Sequence, residues 1–336
     1  MTEVLQVFRK DDKDFFSLEN VFSTIYPYLN NRLEIEKYNV PERAAGLGSI
    51  FRNLLQLRKQ KARVFHITGD IHYSVFAFPR SKTILTIHDC VFLQNTSGIK
   101  RWLFKKLWLQ WPVKYSHLIT TISEASRKDI LDHTSCDGKK IVVIPDPLNN
   151  HFAFIKKIFN KKKPVLLQVG TWPNKNLERV VAAVKGLHCT LSIIGKLSDA
   201  QKRLLQEYGI EYSNKFQIPE EELIREYAES DMVIFASTFE GFGLPVIEAQ
   251  AIGRPLITSN IPPMKEVAGE GACFINPFDI HSIREAVIRV IEDDEFREQI
   301  VQKGMENIRK YDPKIIADQY LALYRRVMSP NQPCAE

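Results

Sequence analysis

The chain has 336 residues, of which 44% are hydrophobic and 26% are charged, and its net charge is +6. This length suits two domains of about 150 residues each, and the composition is that of an ordinary globular protein. The mild positive charge is compatible with an anionic substrate or a membrane surface, and it gives no indication of a nucleic-acid partner.

The cysteines and the chain start bear on the cellular compartment. The five cysteines are scattered, odd in number and never arranged as a C-x-x-C pair. This pattern argues against a disulfide framework and against a zinc site, so we expect no metal and a reducing, cytoplasmic environment. No apolar signal segment is visible at the start of the sequence. No run of about 18 apolar residues predicts a transmembrane helix.

Short apolar runs alternate with helical patterns along the first 150 residues, which predicts a parallel α/β sheet. The predicted strands cover residues 4–8, 33–38, 64–67, 82–88, 118–122 and 141–144, and the predicted helices begin near residues 17, 48, 98 and 123. Ser123 is expected to cap the last of these helices. The lysine-rich segment 151–163 is interpreted as a linker, and the first domain is expected to cover residues 1–155.

Polar side chains follow two of these strands, at the edge where open α/β sheets bind ligands. The residues concerned are Asp70, His72, Tyr73, His88 and Asp89. A single histidine is more often a packed or surface residue than a catalyst, but a His-Asp pair at a strand end favours a functional role. His66 lies inside its strand, and we expect it to be structural.

Residues 98–115 (GIKRWLFKKLWLQWPVKY) interleave lysine and arginine with tryptophan, phenylalanine and leucine. A basic amphipathic helix with tryptophans can lie in a membrane interface beside anionic lipid. The alternative is a helix that packs its aromatic face on the sheet and leaves its lysines in solvent. The two interpretations are compatible if one end of the helix protrudes, and we expect peripheral membrane contact through this segment.

The α/β alternation resumes after the linker. The predicted strands cover residues 164–170, 190–195, 217–218, 231–236 and 256–259, and the predicted helices cover residues 177–185, 219–229, 246–252, 281–293, 294–310 and 313–328. Gly170, Thr171 and Lys175 lie in the loop ahead of one helix, and such a combination forms a phosphate cradle. Lys196, after the next strand, either adds a charge to this cradle or is a solvated loop lysine.

A second glycine loop follows the strand predicted at 231–236. It reads Phe239-Glu240-Gly241-Phe242-Gly243, and Leu244 and Pro245 then open a helix whose free N–H groups attract anions. Glu248 lies in the predicted first helical turn, where a carboxylate can accept hydrogen bonds from a ribose diol. Glu240 lies further out, where a second hydroxyl-bearing group would bind. From spacing alone, an ordinary βαβ loop with a glutamate near the helix dipole explains the pattern equally well.

The stretch FEGFGLPVIEA, followed by GRPLITSNIPPMKEVAGEGACFINPFD, closely resembles the nucleotide-binding signature of family 4 retaining glycosyltransferases of the GT-B fold. The resemblance is strong from about residue 164 to 309. It implies two Rossmann-like parallel-sheet domains that face a central cleft. The donor domain would cover 156–312, and the final helix, 313–330, would pack back on the first domain.

The resemblance also implies a function. The protein would transfer a monosaccharide from a GDP- or UDP-linked donor to a glycan or lipid-linked glycan, without a metal or cofactor, in mannosyltransferase-like surface polysaccharide synthesis. Lys175, Glu240 and His88 would be catalytic. The donor would contact Gly170, Thr171, Lys175, Lys196, Gly241, Phe242, Gly243, Leu244 and Glu248, and the acceptor would contact Asp70, His72, Tyr73 and Asp89.

One feature of the sequence leaves alternatives open. Many relatives carry an arginine shortly before the cradle lysine, whereas this chain has Thr171 and Trp172 near that place. A non-catalytic subunit that binds sugar nucleotides therefore remains an alternative, and so does a GT-B sugar-nucleotide epimerase or phosphorylase. Release of nucleoside diphosphate from the donor by the purified chain, and dependence of the reaction on an added acceptor, distinguish these classes.

Overall fold

The computed structural model describes residues 2–10, 17–44, 46–93 and 98–329. The chain divides into two compact α/β units. Residues 1–147 and 312–336 form the first unit, and residues 148–311 form the second. The change from the first unit to the second therefore falls at residues 147 and 148, eight residues before the limit expected from the sequence.

Within the described residues, the first unit holds a sheet of six parallel strands in the order β2-β1-β3-β4-β5-β6. The strands are β1 (Val4–Phe8), β2 (Ile35–Asn39), β3 (Val64–Ile67), β4 (Thr83–Thr86), β5 (Leu118–Thr121) and β6 (Ile141–Val143). The helices are α1 (Ser17–Asn30), α2 (Leu47–Leu57), α3 (Gly98–Phe104), α4 (Trp111–Tyr115), α5 (Glu124–His133) and α13 (Pro313–Met328), and a π-helical segment, Lys105–Gln110, joins α3 to α4.

Helices cover both faces of this first sheet. One core joins the sheet to α1 and α13, and a separate core joins it to α2, the π-helical segment, α4 and α5. Burial on both faces explains why the four central strands, β1, β3, β4 and β5, are buried along their whole length, whereas the edge strands β2 and β6 are only partly buried. Ser123 caps α5 as expected, because its hydroxyl accepts the Ser126 N–H at 3.1 Å.

His66 is structural, as expected. It is fully buried, and its ring nitrogens lie 2.7 Å from the hydroxyls of Tyr324 and Thr86. Burial lowers the pKa of His66 to about 3, so the ring is neutral.

The described part of the second unit holds another sheet of six parallel strands, in the order β12-β11-β10-β7-β8-β9. The strands are β7 (Val165–Val169), β8 (Thr190–Ile194), β9 (Tyr212–Lys215), β10 (Met232–Phe235), β11 (Leu256–Ser259) and β12 (Cys273–Ile275). The helices are α6 (Leu177–Val184), α7 (Asp199–Glu207), α8 (Glu220–Glu229), α9 (Leu244–Ile252), α10 (Met264–Ala268), α11 (Ile280–Glu292) and α12 (Asp294–Asn307). Because β7 and β10 are neighbours, the loops that follow them leave the same edge of the sheet side by side.

Several sequence expectations are wrong in this second unit. The strand predicted at 217–218 does not form. Gln217 has a φ of +53°, which no strand residue adopts, and the edge strand is instead β9. Helix α7 was not expected, although Ser198 and Gln201 form a capping box at its start.

The segment predicted as a linker packs on the second unit instead. The Ile155 N–H donates to the Ile252 carbonyl at 3.2 Å. Further along, the Asn160 N–H donates to Asp231 Oδ1 at 3.0 Å, and Lys157 lies 3.4 Å from the same oxygen. These contacts fix residues 155–160 along the edge at which β10 begins.

Candidate active site

Two neighbouring loops of the second unit build the candidate site. The first follows β7 and turns through a 3₁₀ segment, Pro173–Lys175, into α6. Asn176, with a φ of 63°, ends this turn, and its amide donates to the carbonyls of Ala236 and Pro277. Gly170 suits this position because its φ of +92° is one that residues with a side chain rarely adopt, and a Cβ atom here would lie 2.8 Å from the Lys175 side chain. The lysine chain therefore crosses directly over the glycine.

The second loop follows β10 and ends at Gly243, whose φ of +99° leads into α9. Gly241 is not among the positive-φ glycines, so Gly243 alone supplies that conformation in the loop. Phe242 is buried and packs edge-on against Tyr311, which leaves its backbone as the part available to a ligand. Leu244 begins α9, two residues earlier than expected.

The two loops are joined by hydrogen bonds. The Thr238 N–H donates to the Asn174 carbonyl at 2.8 Å, and the Asn174 amide donates to the Phe239 carbonyl at 3.0 Å. Because these bonds run in both directions between the loops, they fix one loop against the other. Asn174 was not singled out as a site residue from the sequence, although it stands next to Lys175.

An ion pair closes the junction between the loops. Lys175 Nζ lies 2.6 Å from Glu240 Oε1, and both side chains are largely buried, with exposed fractions of 19% and 14%. The Asn174 amide also reaches Glu240 Oε1, at 3.3 Å. Lys175 Nζ lies 4.7 Å from the centre of the Phe235 ring. The structure thus brings together two residues that are 65 positions apart in the sequence and that were both selected for their chemistry.

Glu248 is the fifth residue of α9, so it lies in the second turn, whereas the sequence analysis predicted the first turn. Its Oε2 accepts a hydrogen bond from the Tyr227 hydroxyl at 2.6 Å. Burial raises the pKa of Glu248 to about 7, while the Tyr227 hydroxyl and the charge of Lys175 act in the opposite direction. Tyr227 was missed by sequence analysis, because nothing in the chain pattern links it to Glu248.

Thr171 and Lys196 meet at the same edge of the sheet. The Thr171 hydroxyl donates to the Lys196 carbonyl at 2.7 Å. The Lys196 residue is exposed. This geometry brings Lys196 next to the β7 loop.

The residues expected on the acceptor side lie in the first unit, beside the ends of β3 and β4. His88 is partly exposed, and its Nε2 donates to the Thr68 carbonyl at 3.1 Å. Asp89 Oδ1 accepts the Val91 N–H at 2.9 Å. Asp70 is 63% exposed and lies 3.5 Å from Arg9. These side chains leave polar groups near the edge of the sheet.

His72 and Tyr73 do not fit an accessible acceptor edge, because both are buried. His72 Nδ1 lies 2.6 Å from the Trp108 carbonyl, and burial lowers the pKa of the ring. The Tyr73 hydroxyl accepts a hydrogen bond from the Asn53 amide at 2.8 Å. Their burial indicates that both side chains stabilise the first unit.

Asp146, just after β6, was missed by sequence analysis. It is buried, burial raises its pKa to about 6, and the charge of His88 acts in the opposite direction. The sequence signal that could have identified Asp146 was its position between two prolines at the end of a strand.

Residues 2–10, 17–44, 46–93 and 98–329 contain no group of three or more His, Cys, Asp or Glu side chains that could hold a metal ion. Among the helices of these ranges, none has the length and apolarity needed to cross a bilayer.

Comparison with known proteins gives consistent likenesses. Residues 150–307 match the family model described as Glycosyl transferases group 1. The chain is 31% identical over 217 residues to the O-antigen chain mannosyltransferase RfbU of Salmonella typhimurium LT2. That match covers 62% of this chain and 60% of the relative. The chain thus spans less than two thirds of this curated relative's length.

Two solved structures are similar over nearly the whole chain. The HepE protein of Anabaena, in complex with UDP and glucose, matches with a TM-score of 0.77 and 13% identity, covering 97% of this chain and 100% of that one. WaaG, a glycosyltransferase involved in lipopolysaccharide biosynthesis, matches with a TM-score of 0.74 and 12% identity, covering 96% and 99%. With its two parallel six-stranded sheets and flanking helices, the chain has the GT-B fold, and the group 1 glycosyltransferase match covers both loops of the candidate site.

Proposed function

We propose that the protein is a retaining, metal-independent glycosyltransferase of family 4. It transfers a monosaccharide from a nucleotide-sugar donor to a glycan or lipid-linked glycan in bacterial surface polysaccharide synthesis. The observation that carries the proposal is the Lys175–Glu240 junction, at which two loops from neighbouring strands meet beside the start of α9. The curated relative RfbU, an O-antigen chain mannosyltransferase, favours a mannosyl donor.

The donor diphosphate would bind between the two loops. Lys175 offers a single concentrated charge, and the backbone N–H groups near Gly243 at the start of α9 offer dipoles that attract anions. At this junction Glu240 pairs with Lys175. An incoming diphosphate would share the lysine and leave Glu240 free to accept hydrogen bonds from sugar hydroxyls.

The reaction breaks the bond between the anomeric carbon and the diphosphate and forms a bond from that carbon to an acceptor hydroxyl oxygen. Negative charge develops on the departing nucleoside diphosphate, and positive charge develops on the sugar ring. Fixed groups that face these charges lower the barrier because they need no reorganisation. Lys175 would stabilise the diphosphate, and Glu240 would stabilise the sugar.

We expect nucleoside diphosphates to stabilise the protein. A ligand present at 100 times its Kd stabilises the folded state by about 2.7 kcal/mol, which should raise the Tm by about 5 °C or more. A thermal-shift panel of UDP, GDP and other nucleoside diphosphates measures this effect, and the corresponding nucleosides serve as controls for the diphosphate contribution. Absence of any shift with every diphosphate would reject the proposed donor site.

Turnover distinguishes an enzyme from a binding subunit. The purified chain, incubated with a sugar nucleotide that carries the base found to stabilise the protein, should release nucleoside diphosphate slowly. The rate of this release should increase when an acceptor glycan is added. Binding without release, at any enzyme concentration, would instead support the non-catalytic alternative.

Peripheral membrane contact is part of the proposal, and it rests on residues 98–115. Leu109 and Val113 are buried in the core on one side of the first sheet, whereas Ile99, Trp102 and Leu103 are 86%, 60% and 46% exposed. The outer end of the segment therefore projects an apolar surface. The basic residues of segment 98–115 are Lys100, Arg101, Lys105, Lys106 and Lys114. This combination fits the interface of an anionic bilayer, where a lipid-linked acceptor would be located.

Trp102→Ala should weaken binding to anionic vesicles about tenfold, because burying an aromatic side chain contributes roughly 1.5 kcal/mol or more. Flotation with vesicles of phosphatidylglycerol and phosphatidylcholine measures the bound fraction. Trp172→Ala is the matched control, since Trp172 is 76% exposed but belongs to the second unit. Equal flotation of parent and Trp102→Ala would end the membrane proposal.

A further inference from the structure

Tyr227 is a fully buried tyrosine on α8, and its hydroxyl donates to Glu248 Oε2 at 2.6 Å. The tyrosine is held along its length. Its ring packs edge-on against Phe152, with ring centres 5.6 Å apart, and its carbonyl accepts hydrogen bonds from Arg254 Nε at 3.1 Å and from the Ser230 hydroxyl at 2.8 Å. The phenol is thus a rigid donor aimed at one oxygen of the glutamate.

Glu248 is only partly buried, so part of its carboxylate can reach a ligand. Among the described residues, Oε2 has the Tyr227 bond, and no protein hydrogen bond to Oε1 is seen. A carboxylate has about four acceptor positions on its two oxygens. A buried donor that occupies one acceptor position therefore orients the carboxylate and leaves other acceptor positions for a ligand.

The charged groups around Glu248 do not perform this orientation. Glu220, at the start of α8, repels the carboxylate, and Lys175 attracts it. Lys175, however, is engaged by Glu240, and Glu220 contacts Asn149 and His151. This leaves the uncharged phenol of Tyr227 as the group in direct contact with Glu248.

We propose that Tyr227 is a positioning residue that holds Glu248 so that its free acceptor positions meet the two ribose hydroxyls of the donor, and that this contact makes the protein select ribonucleotides over deoxyribonucleotides. The inference rests on the proposed function, since it takes the donor to be a nucleotide sugar. It goes further by assigning the preference for ribose over deoxyribose in the nucleotide to Tyr227 on α8 and Glu248 on α9.

The pair also sets a pH dependence. Ribose hydroxyls donate to the ionised carboxylate, so nucleotide binding should strengthen as pH rises through about 7, the pKa of Glu248. The Tyr227 hydroxyl lowers this pKa by stabilising the ionised form. Without the hydroxyl the pKa rises further, and the transition in binding moves to higher pH.

Tyr227→Phe tests the inference, because it removes the hydroxyl and keeps the buried ring. Calorimetry would compare UDP and GDP with their 2′-deoxy and 3′-deoxy forms, and with inorganic pyrophosphate, between pH 6 and pH 8.5. The parent should prefer the ribonucleotide by roughly tenfold, as expected for hydrogen bonds to a charged group. The variant should lose most of that preference and shift its pH transition upward, while binding pyrophosphate as tightly as the parent.

Tyr311→Phe is the matched control. Tyr311 is also buried in the second unit, and its hydroxyl donates to the Val267 carbonyl at 3.0 Å. This variant should keep the ribose preference.

The inference is overturned if Tyr227→Phe retains the full preference and the parental pH profile, or if Tyr311→Phe loses the preference to the same extent. A parent that binds no nucleoside diphosphate rejects the proposed function itself. A parent that binds UDP or GDP but does not distinguish ribose from deoxyribose leaves the donor site standing and rejects the role of the Tyr227–Glu248 pair.

Discussion

Lys175→Ala is expected to reduce kcat about 30- to 1000-fold, because a preorganised charge that faces a departing diphosphate contributes roughly 2–4 kcal/mol to the stabilisation of the transition state. Lys175 is largely buried, and its ion pair with Glu240, at 2.6 Å, holds its ammonium group in a defined position. The rate of release of nucleoside diphosphate, measured at saturating donor and acceptor, reports this loss directly.

The control for Lys175→Ala is another lysine that pairs with a glutamate in the same unit. Lys303 lies 2.8 Å from Glu270, with exposed fractions of 41% and 80%. An exposed pair of this kind contributes little to stability, and it belongs to the α10–α12 side of the unit and not to the two loops. Lys303→Ala should therefore retain parental kcat. A Lys175→Ala enzyme that turns over within a factor of two of the parent would refute the assigned role.

Glu240→Gln should also lower kcat strongly, because the amide keeps the size of the side chain but loses the charge that stabilises the sugar. The two residues touch, so their effects should not add. The double variant should be less impaired than the product of the two single effects. Strict additivity would mean that Lys175 and Glu240 act on the reaction independently.

The donor-site loops could be predicted from sequence because each element carries a local signal. β7 and β10 are buried on both faces, so they read as short apolar runs. The loops after them carry the glycine, lysine and glutamate residues whose chemistry suggests a phosphate site. Since parallel neighbours end at the same edge, the pairing of these strands then brings Lys175 to Glu240.

Other elements gave weaker signals. β9 is an edge strand that pairs with β8, and Ser213 and Asn214 at its centre are exposed, so no apolar run marks it. The 151–163 segment lacks helical or strand periodicity because it packs through scattered contacts such as Ile155 with Ile252. The pairing of Tyr227 with Glu248 spans two helices, and only the packing of those helices brings the residues together.

The acceptor side shows a different limit of the sequence. A strand-end position identifies residues near the sheet edge, but it does not state which side chains turn inward. His72 and Tyr73 follow β3 closely, yet both are buried, whereas Asp70 in the same loop is exposed. Whether each of these side chains is buried or exposed depends on how residues 72–77 form a 3₁₀ helix against α2. The sequence pattern of the strands does not encode this packing.

Glu248→Gln is expected to stabilise the protein at alkaline pH. The pKa of Glu248 is about 7 in the folded state, above its ordinary value of 4.5. Between these two values the folded chain keeps a proton that the unfolded chain releases. The stability contributed by this group is therefore present below pH 4.5, falls as pH rises toward 7, and remains low above pH 7. A shift of this size corresponds to about 3 kcal/mol, and partial exposure of the side chain makes that an upper bound.

Glutamine does not ionise, so the variant escapes this loss while keeping an acceptor for the Tyr227 hydroxyl. The free energy of unfolding of Glu248→Gln should match that of the parent at pH 5 and exceed it by about 2 kcal/mol or more at pH 8. Urea unfolding of both proteins at the two pH values measures the difference. The control is Glu270→Gln, because Lys303 lowers the pKa of Glu270, and this variant should gain no stability at pH 8.

The same substitution should weaken nucleotide binding, because an amide offers the ribose one acceptor oxygen where the carboxylate offers two. A gain in stability together with a loss of binding is the pattern expected when a partly buried acid binds the ligand but lowers the stability of the folded protein. The measurement that decides is the pH dependence of the stability difference between Glu248→Gln and the parent. If that difference is the same at pH 5 and pH 8, Glu248 does not titrate near neutrality, and its burial does not strain the second unit.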